Sequence, residues 1–199
     1  MFLLKKTIYL IIALSLSGSI VKITGGLFHS SKALFVDALT CIANIIALIF
    51  TTYYYRLSKL PPDIDHPKGH HRYGLGGSIV TLTIYGYVAG VVSVDLIYTR
   101  EYVVDFNAVY FAISGFILYA LSIYLSLRVS RHYRAYGFFT VVELYESSVT
   151  IVAVLLGALY YYLIDYVGAI GLTIYLIIGI IRICRETIHT VASEEVYID

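Results

Sequence analysis

Six hydrophobic runs, each about as long as a helix needs to cross a bilayer, leave this chain little choice of fold. Roughly 20 apolar residues wound as a helix span the hydrocarbon core, where only helices or closed barrels satisfy their backbone groups. The runs lie near residues 7–28, 33–55, 75–98, 107–128, 137–161 and 166–184. The expected fold is therefore an all-α membrane protein, a six-transmembrane-helix bundle whose even number of spans puts both termini on one side. Composition excludes a soluble domain. Of the 199 residues, 59% are hydrophobic and 14% charged, where soluble chains are roughly 45–50% apolar. The apolar run after Lys5 and Lys6 is too long for a secretory signal and has no small-residue cleavage site.

Basic residues give the orientation. Eleven of the 14 fall on one side: Lys5, Lys6, Arg56, Lys59, Lys68, Arg72, Arg128, Arg131, Arg134, Arg182 and Arg185. Lys32 and Arg100 fall on the other, and Lys22 lies within a span. The richer side, with both termini, is expected to be cytosolic. These charges are scattered through short loops, so no nucleic-acid partner is expected. Cys41 and Cys184 both sit inside apolar runs, which rules out a disulfide framework or a CxxC metal clasp. Tyr53-Tyr54-Tyr55 and Tyr160-Tyr161-Tyr162 mark run ends, where amphipathic rings anchor in the headgroup layer. Asp95, near the outer end of the third run, is expected to snorkel to water. No HExxH, GxSxG or P-loop is present, so neither an enzyme nor a cofactor is expected.

The polar loop Asp63-Ile64-Asp65-His66-Pro67-Lys68-Gly69-His70-His71-Arg72-Tyr73 separates the second and third runs. Its imidazoles and carboxylates can hold a divalent cation at a membrane surface. Asp63 and His66 are three residues apart and His66 and His70 four, spacings that share one face of a helical turn and suit a first-row dication. Taken with Ser31-Lys32-Ala33-Leu34-Phe35-Val36-Asp37-Ala38-Leu39 upstream and Arg185-Glu186-Thr187 after the last run, this loop resembles the cation diffusion facilitator family of metal transporters. The resemblance covers nearly the whole chain. It implies that Asp63, His66 and His70 form a second, loop-borne metal site.

The family's transport site lies between the second and fifth spans, each giving two ligands four residues apart, usually histidine or aspartate. Aligned on this chain, those positions are Thr40 and Asn44, then Glu143 and Ser147. This quartet departs from the pattern: it offers oxygen only, with one full negative charge. Manganese or magnesium accept such ligands, while zinc and cobalt favour imidazole or thiolate. Nearby groups can repair the deficit. At about 100° per residue, Glu146 lies about 60° round the helix from Glu143, and Asp37 is almost in line with Asn44. Cys41, four residues from Asp37, can lend a sulfur. Each has a structural alternative: Thr40, Asn44 and Ser147 as helix–helix hydrogen bonds, Cys41 as a small core residue. Lys22 matches a lysine that many family members carry midway along the first span, and its expected task is to balance an acid such as Asp37.

The resemblance thus implies a multi-pass transporter of a divalent metal (zinc, manganese, iron or cobalt), exporting it from the cytosol in exchange for protons. It also implies a homodimer, in the lipid bilayer of the plasma membrane. Proton and metal would compete for the same carboxylate oxygens. The alternative is a non-transporting structural or regulatory paralogue with a degenerate cation site. Family members usually continue into a small cytosolic domain, and this chain stops at Asp199, about where that domain would begin. Residues 1–199 are therefore expected to be the transmembrane domain alone, either by nature or as a fragment.

Overall fold

Long apolar runs without proline fold as uninterrupted helices, and the computed structural model, which describes residues 2–129 and 131–194, follows that rule. Its elements are α1 (Phe2–Phe28), α2 (Lys32–Ser58), α3 (Gly74–Tyr98), α4 (Asn107–Val129), α5 (Arg131–Leu159) and α6 (Tyr162–Glu194). No strand occurs among the described residues. All six helices are long and apolar enough to cross a membrane. The side chains of Lys5, Lys6, Arg128, Arg131 and Arg134, used above for orientation, lie outside the described residues, as does the segment 195–199.

The helices overrun the expected spans, because hydropathy marks the hydrocarbon section and not where the backbone leaves the helix. At its C-terminal end α6 carries the exposed pair Arg182–Glu186, 3.0 Å apart at i,i+4. The fifth span stops at Leu159 rather than 161, and α6 begins at Tyr162 rather than 166. Asp165 therefore falls in the first turn of α6, where the helix dipole favours an acid.

The spans expose apolar side chains outward and bury polar and charged groups among a core that includes Leu34, Val36, Val92 and Val154. Ile20, Ile79, Ile97, Val103, Ile117 and Ile178 point outward, while Ser15, Ser19, Lys22, Asp37, Glu143, Ser147 and Thr150 are buried. That is the arrangement a lipid solvent demands.

The chain divides into two compact units. One combines residues up to Ile42 with Val92–Thr173; the other combines Ala43–Val91 with the stretch from Ile174. In the first, small residues let helices touch. A Cβ at Gly18 of α1 would fall 3.0 Å from the Gly115 carbonyl oxygen of α4, and the Ser15 and Ser122 hydroxyls bond at 2.6 Å between the same helices. The α1–α2 turn is as tight: a Cβ at Gly26 would lie 2.8 Å from Phe35 Cα, and Ser30 takes a positive φ of 56°. In the second unit, a Cβ at Gly77 of α3 would fall 3.0 Å from Thr51 Cα of α2.

The start of α2 is held from two sides. The Ser31 hydroxyl accepts from the Leu34 N–H at 3.2 Å, a side-chain N-cap. The same hydroxyl donates to Asp165 at 2.7 Å. Asp165 also accepts from the Lys32 N–H at 2.7 Å, the Ala33 N–H at 3.4 Å and the Tyr102 hydroxyl at 2.9 Å. One buried carboxylate from α6 thus closes the N-terminus of α2, and Gly157 makes room for it: a Cβ there would lie 2.7 Å from Asp165 Cβ. Asp95, near the C-terminal end of α3, is partly exposed and also ion-paired. Lys32 donates to both of its oxygens at 2.9 Å, because the first residue of α2 brings an ammonium within reach of the end of α3.

Candidate metal centres

Inside the first unit, α1, α2 and α5 bring one cation and several acceptors together. Lys22 is 0% and Asp37 2% exposed, and Lys22 Nζ stands 3.0 Å from Asp37 Oδ2. The same ammonium donates to Ser147 Oγ at 2.6 Å and to Cys41 Sγ at 3.4 Å. Ser147 passes its own proton to Asp37 Oδ1 at 3.1 Å. The ammonium thus donates to two acceptors and stands beside Asp37 Oδ2 as an ion pair without hydrogen-bond geometry. At an effective dielectric of about 20, opposite charges this close attract by roughly 5 kcal/mol, against which the desolvation of both must be set. The expected partnership of Lys22 with Asp37 is what the geometry contains.

The aligned quartet divides. Ser147 belongs to this cluster. Glu143 is buried one turn away on α5 beside Tyr119 of α4, with Glu146, Lys22 and Asp37 near enough to feel its charge. Glu146 likewise senses Asp37 and Lys22. Thr40 is buried, but its hydroxyl donates to the Asp37 carbonyl of its own helix at 2.9 Å. Asn44 lies in the second unit, where its side-chain oxygen accepts from the Tyr85 hydroxyl. The auxiliary residues Asp37 and Cys41, one turn apart on α2, are thus the α2 groups of this cluster: Asp37 bonds Ser147 directly, and Cys41 shares the Lys22 ammonium with it. What the sequence did not supply is that Ser147 and Cys41 share the Lys22 ammonium with Asp37, nor the Asp165–Tyr102 network. An acid at the very edge of an apolar run was the available signal for Asp165.

The second cluster is the loop. Asp63, His66 and His70 each offer a ligand atom within 4.8 Å of the others. They do not meet on a helical turn, as their spacing suggested. Pro61, Pro62 and Pro67 keep residues 61–70 out of a helix, and a left-handed turn at Gly69, φ 88°, doubles the chain back before a single 3-10 turn at His71–Tyr73. Asp63 Oδ1 accepts from the His66 N–H at 2.7 Å and lies 3.2 Å from His66 Nδ1. His70 is buried and stacks against Tyr73. Its Nδ1–H donates to the Pro61 carbonyl at 3.1 Å, which assigns the lone pair to Nε2, 3.3 Å from Asp63 Oδ2. Two electron-rich atoms at that separation require a cation between or beside them, either a proton or a metal. A backbone carbonyl fixing the far nitrogen is the usual support for a metal-binding imidazole. Ligands about 2.1 Å from a tetrahedral zinc stand roughly 3.4 Å apart, close to the spacings here.

The His66 backbone N–H, and then the imidazoles, hold the Asp63 carboxyl below the ordinary aspartate range. The sign follows: this clasp is fully made above the usual aspartate pKa and loosens only as pH falls through the lowered value. Substituting His66→Ala with His70→Ala should remove one bound metal per chain at neutral pH and leave the helix content unchanged. Elemental analysis with circular dichroism checks this, and unchanged stoichiometry would return the loop to a plain turn.

Comparison with known proteins adds an independent line. A 50-residue segment is 48% identical to the manganese efflux system protein MneS of Bacillus subtilis (strain 168), covering 25% of this chain and 17% of that protein. A 76-residue segment is 32% identical to the manganese efflux system protein MneP of the same organism, covering 38% of this chain and 24% of the relative. These matches therefore span a quarter or less of each relative's length. The profile of the cation efflux transmembrane domain matches residues 8–190, and on that match the chain belongs to the cation efflux family.

Proposed function

We propose that this chain carries a divalent metal cation, manganese foremost, out of the cytosol in exchange for protons. The observation that carries the reading is the buried Asp37–Ser147–Cys41 cluster on the facing helices α2 and α5, with Glu143 and Glu146 beside it. Ionisable groups inside apolar spans are costly, and they mark ion routes when they converge. The donors are mostly oxygen, which suits manganese, and the two relatives are manganese efflux proteins by name. Both termini and the histidine loop face the cytosol in this account, so Asp63, His66 and His70 sit on the loading side. The protein works in the plasma membrane as a homodimer.

Exchange with protons follows from carboxylate chemistry. Proton and metal compete for the same oxygens, so protonation on the acidic side favours release. Glu143→Gln keeps shape and hydrogen bonding while removing charge and titratable proton. It should abolish manganese-driven proton release from proteoliposomes, Ser147→Ala should only weaken it, and Glu146→Gln provides the comparison. Normal proton release from Glu143→Gln with a dead Glu146→Gln would move the coupling group to Glu146. Equal activity in all three would remove this cluster from the mechanism.

One observation favours a second reading, a non-transporting paralogue: the aligned ligand Ser147 is already engaged by Lys22. A wild-type protein that moves no metal would make that reading the better one.

A further inference from the structure

We propose that Lys22 is the resident cation of the buried site: its ammonium fills the place among Asp37, Ser147 and Cys41 that the transported dication takes, and the two exchange there. The inference rests on the transport reading above and adds what holds the site when no metal is in it.

The first support is coordination. Nζ donates to Ser147 Oγ at 2.6 Å and Cys41 Sγ at 3.4 Å and is ion-paired with Asp37 Oδ2 at 3.0 Å, so three electron-rich atoms stand around it as ligands stand around an ion. The second is accommodation. The Lys22 stem passes against Gly115 of α4, where any Cβ would fall 2.5 Å from Lys22 Cγ, and the ammonium lies 5.4 Å from the centre of the Tyr119 ring. A glycine gap and an aromatic face together fit a charged, unbranched side chain that must lie inside a bundle. The third is what the aligned ligands do. The Thr40 hydroxyl is bonded to its own backbone and Asn44 to Tyr85, so the α2 contribution comes from Asp37 and Cys41, one turn nearer the start of α2.

Charge then dictates exchange. A dication bound to Asp37 and Ser147 would stand within a few ångströms of the ammonium, with one carboxylate between them, so the cage holds one cation at a time. Four methylenes let the ammonium withdraw while its backbone stays fixed. After release, Lys22 returns to Asp37, and the empty carrier resets without leaving Asp37 bare inside the membrane. No proton need leave Lys22 for this to work.

Equilibrium dialysis of MnCl2 against the purified full chain carrying His66→Ala and His70→Ala tests the proposal, because only the buried site then reports. Lys22→Met keeps the volume of the stem and removes the competing charge, so it should bind Mn2+ about tenfold tighter or more. The gain should vanish when Asp37→Asn is added. A folded Lys22→Met that binds no tighter, or a gain that survives Asp37→Asn, overturns the exchange. Where Lys22→Met is too unstable to purify alone, Mn2+ should raise its unfolding temperature but not that of the double substitution, since the metal replaces the missing charge. Absence of that stabilisation also overturns it. Flux separates the two claims. A wild type that moves no Mn2+ contradicts the transport reading and leaves the binding gain standing, while normal flux without the gain contradicts the role of Lys22 alone.

Discussion

Asp165→Ala should be the most damaging single substitution to the fold, costing roughly 3–5 kcal/mol of stability from the loss of a cap and the stranding of buried donors. Four donors converge on that carboxylate: the Ser31 and Tyr102 hydroxyls and the Lys32 and Ala33 backbone N–H groups. Asp165 is fully buried, so removing it leaves those donors cut off from bulk solvent. Asp165→Asn keeps one acceptor and should lose about half as much. Tyr102 reports the same contact, because burial and the adjacent Asp165 charge raise its phenol well above the ordinary range. Denaturant unfolding in micelles measures the loss, and a deficit under about 1 kcal/mol in Asp165→Ala would show that α2 does not depend on this clamp.

Asp37→Asn should do two things at once. It leaves the Lys22 ammonium buried without a carboxylate, a change that costs about 3–5 kcal/mol when one partner of a buried pair is removed. It also takes from the cluster its one carboxylate in direct contact with Ser147 and Lys22. Stability and transport then separate in the double variant. Lys22→Met with Asp37→Asn removes both charges, so it should regain most of the stability and none of the transport. A double variant as unstable as Asp37→Asn alone would mean that the pair holds the helices by shape and not by charge.

The parts legible in the sequence were those written in a local signal. Span number follows from apolar length, which needs no partner to be read. Span ends were less legible, since helices such as α6 run on through polar turns to Glu194 while the apolar stretch stops earlier. The loop triad could be named from spacing, but not its geometry: three prolines and the left-handed turn at Gly69 bring the groups together without a helix. Asp37, Cys41 and Ser147 could be named as neighbours on their own helices. The pairing of Lys22 with Asp37 came with the family resemblance, but the convergence of Ser147 and Cys41 on the same ammonium could not be read, because the rotation of each helix is set by small-residue contacts such as Gly18 with Gly115, which no single helix encodes. Asp165 escaped for the same reason: its partners come from two segments distant in sequence, Ser31–Ala33 and Tyr102.

Uptake of Mn2+ by sealed proteoliposomes, wild type beside Asp37→Asn at matched protein density, tests the central claim most directly. The account predicts Mn2+ accumulation, driven by an opposing proton gradient, in wild-type vesicles and background entry with Asp37→Asn. Equal accumulation by both, or none above protein-free vesicles from the wild type, would contradict it.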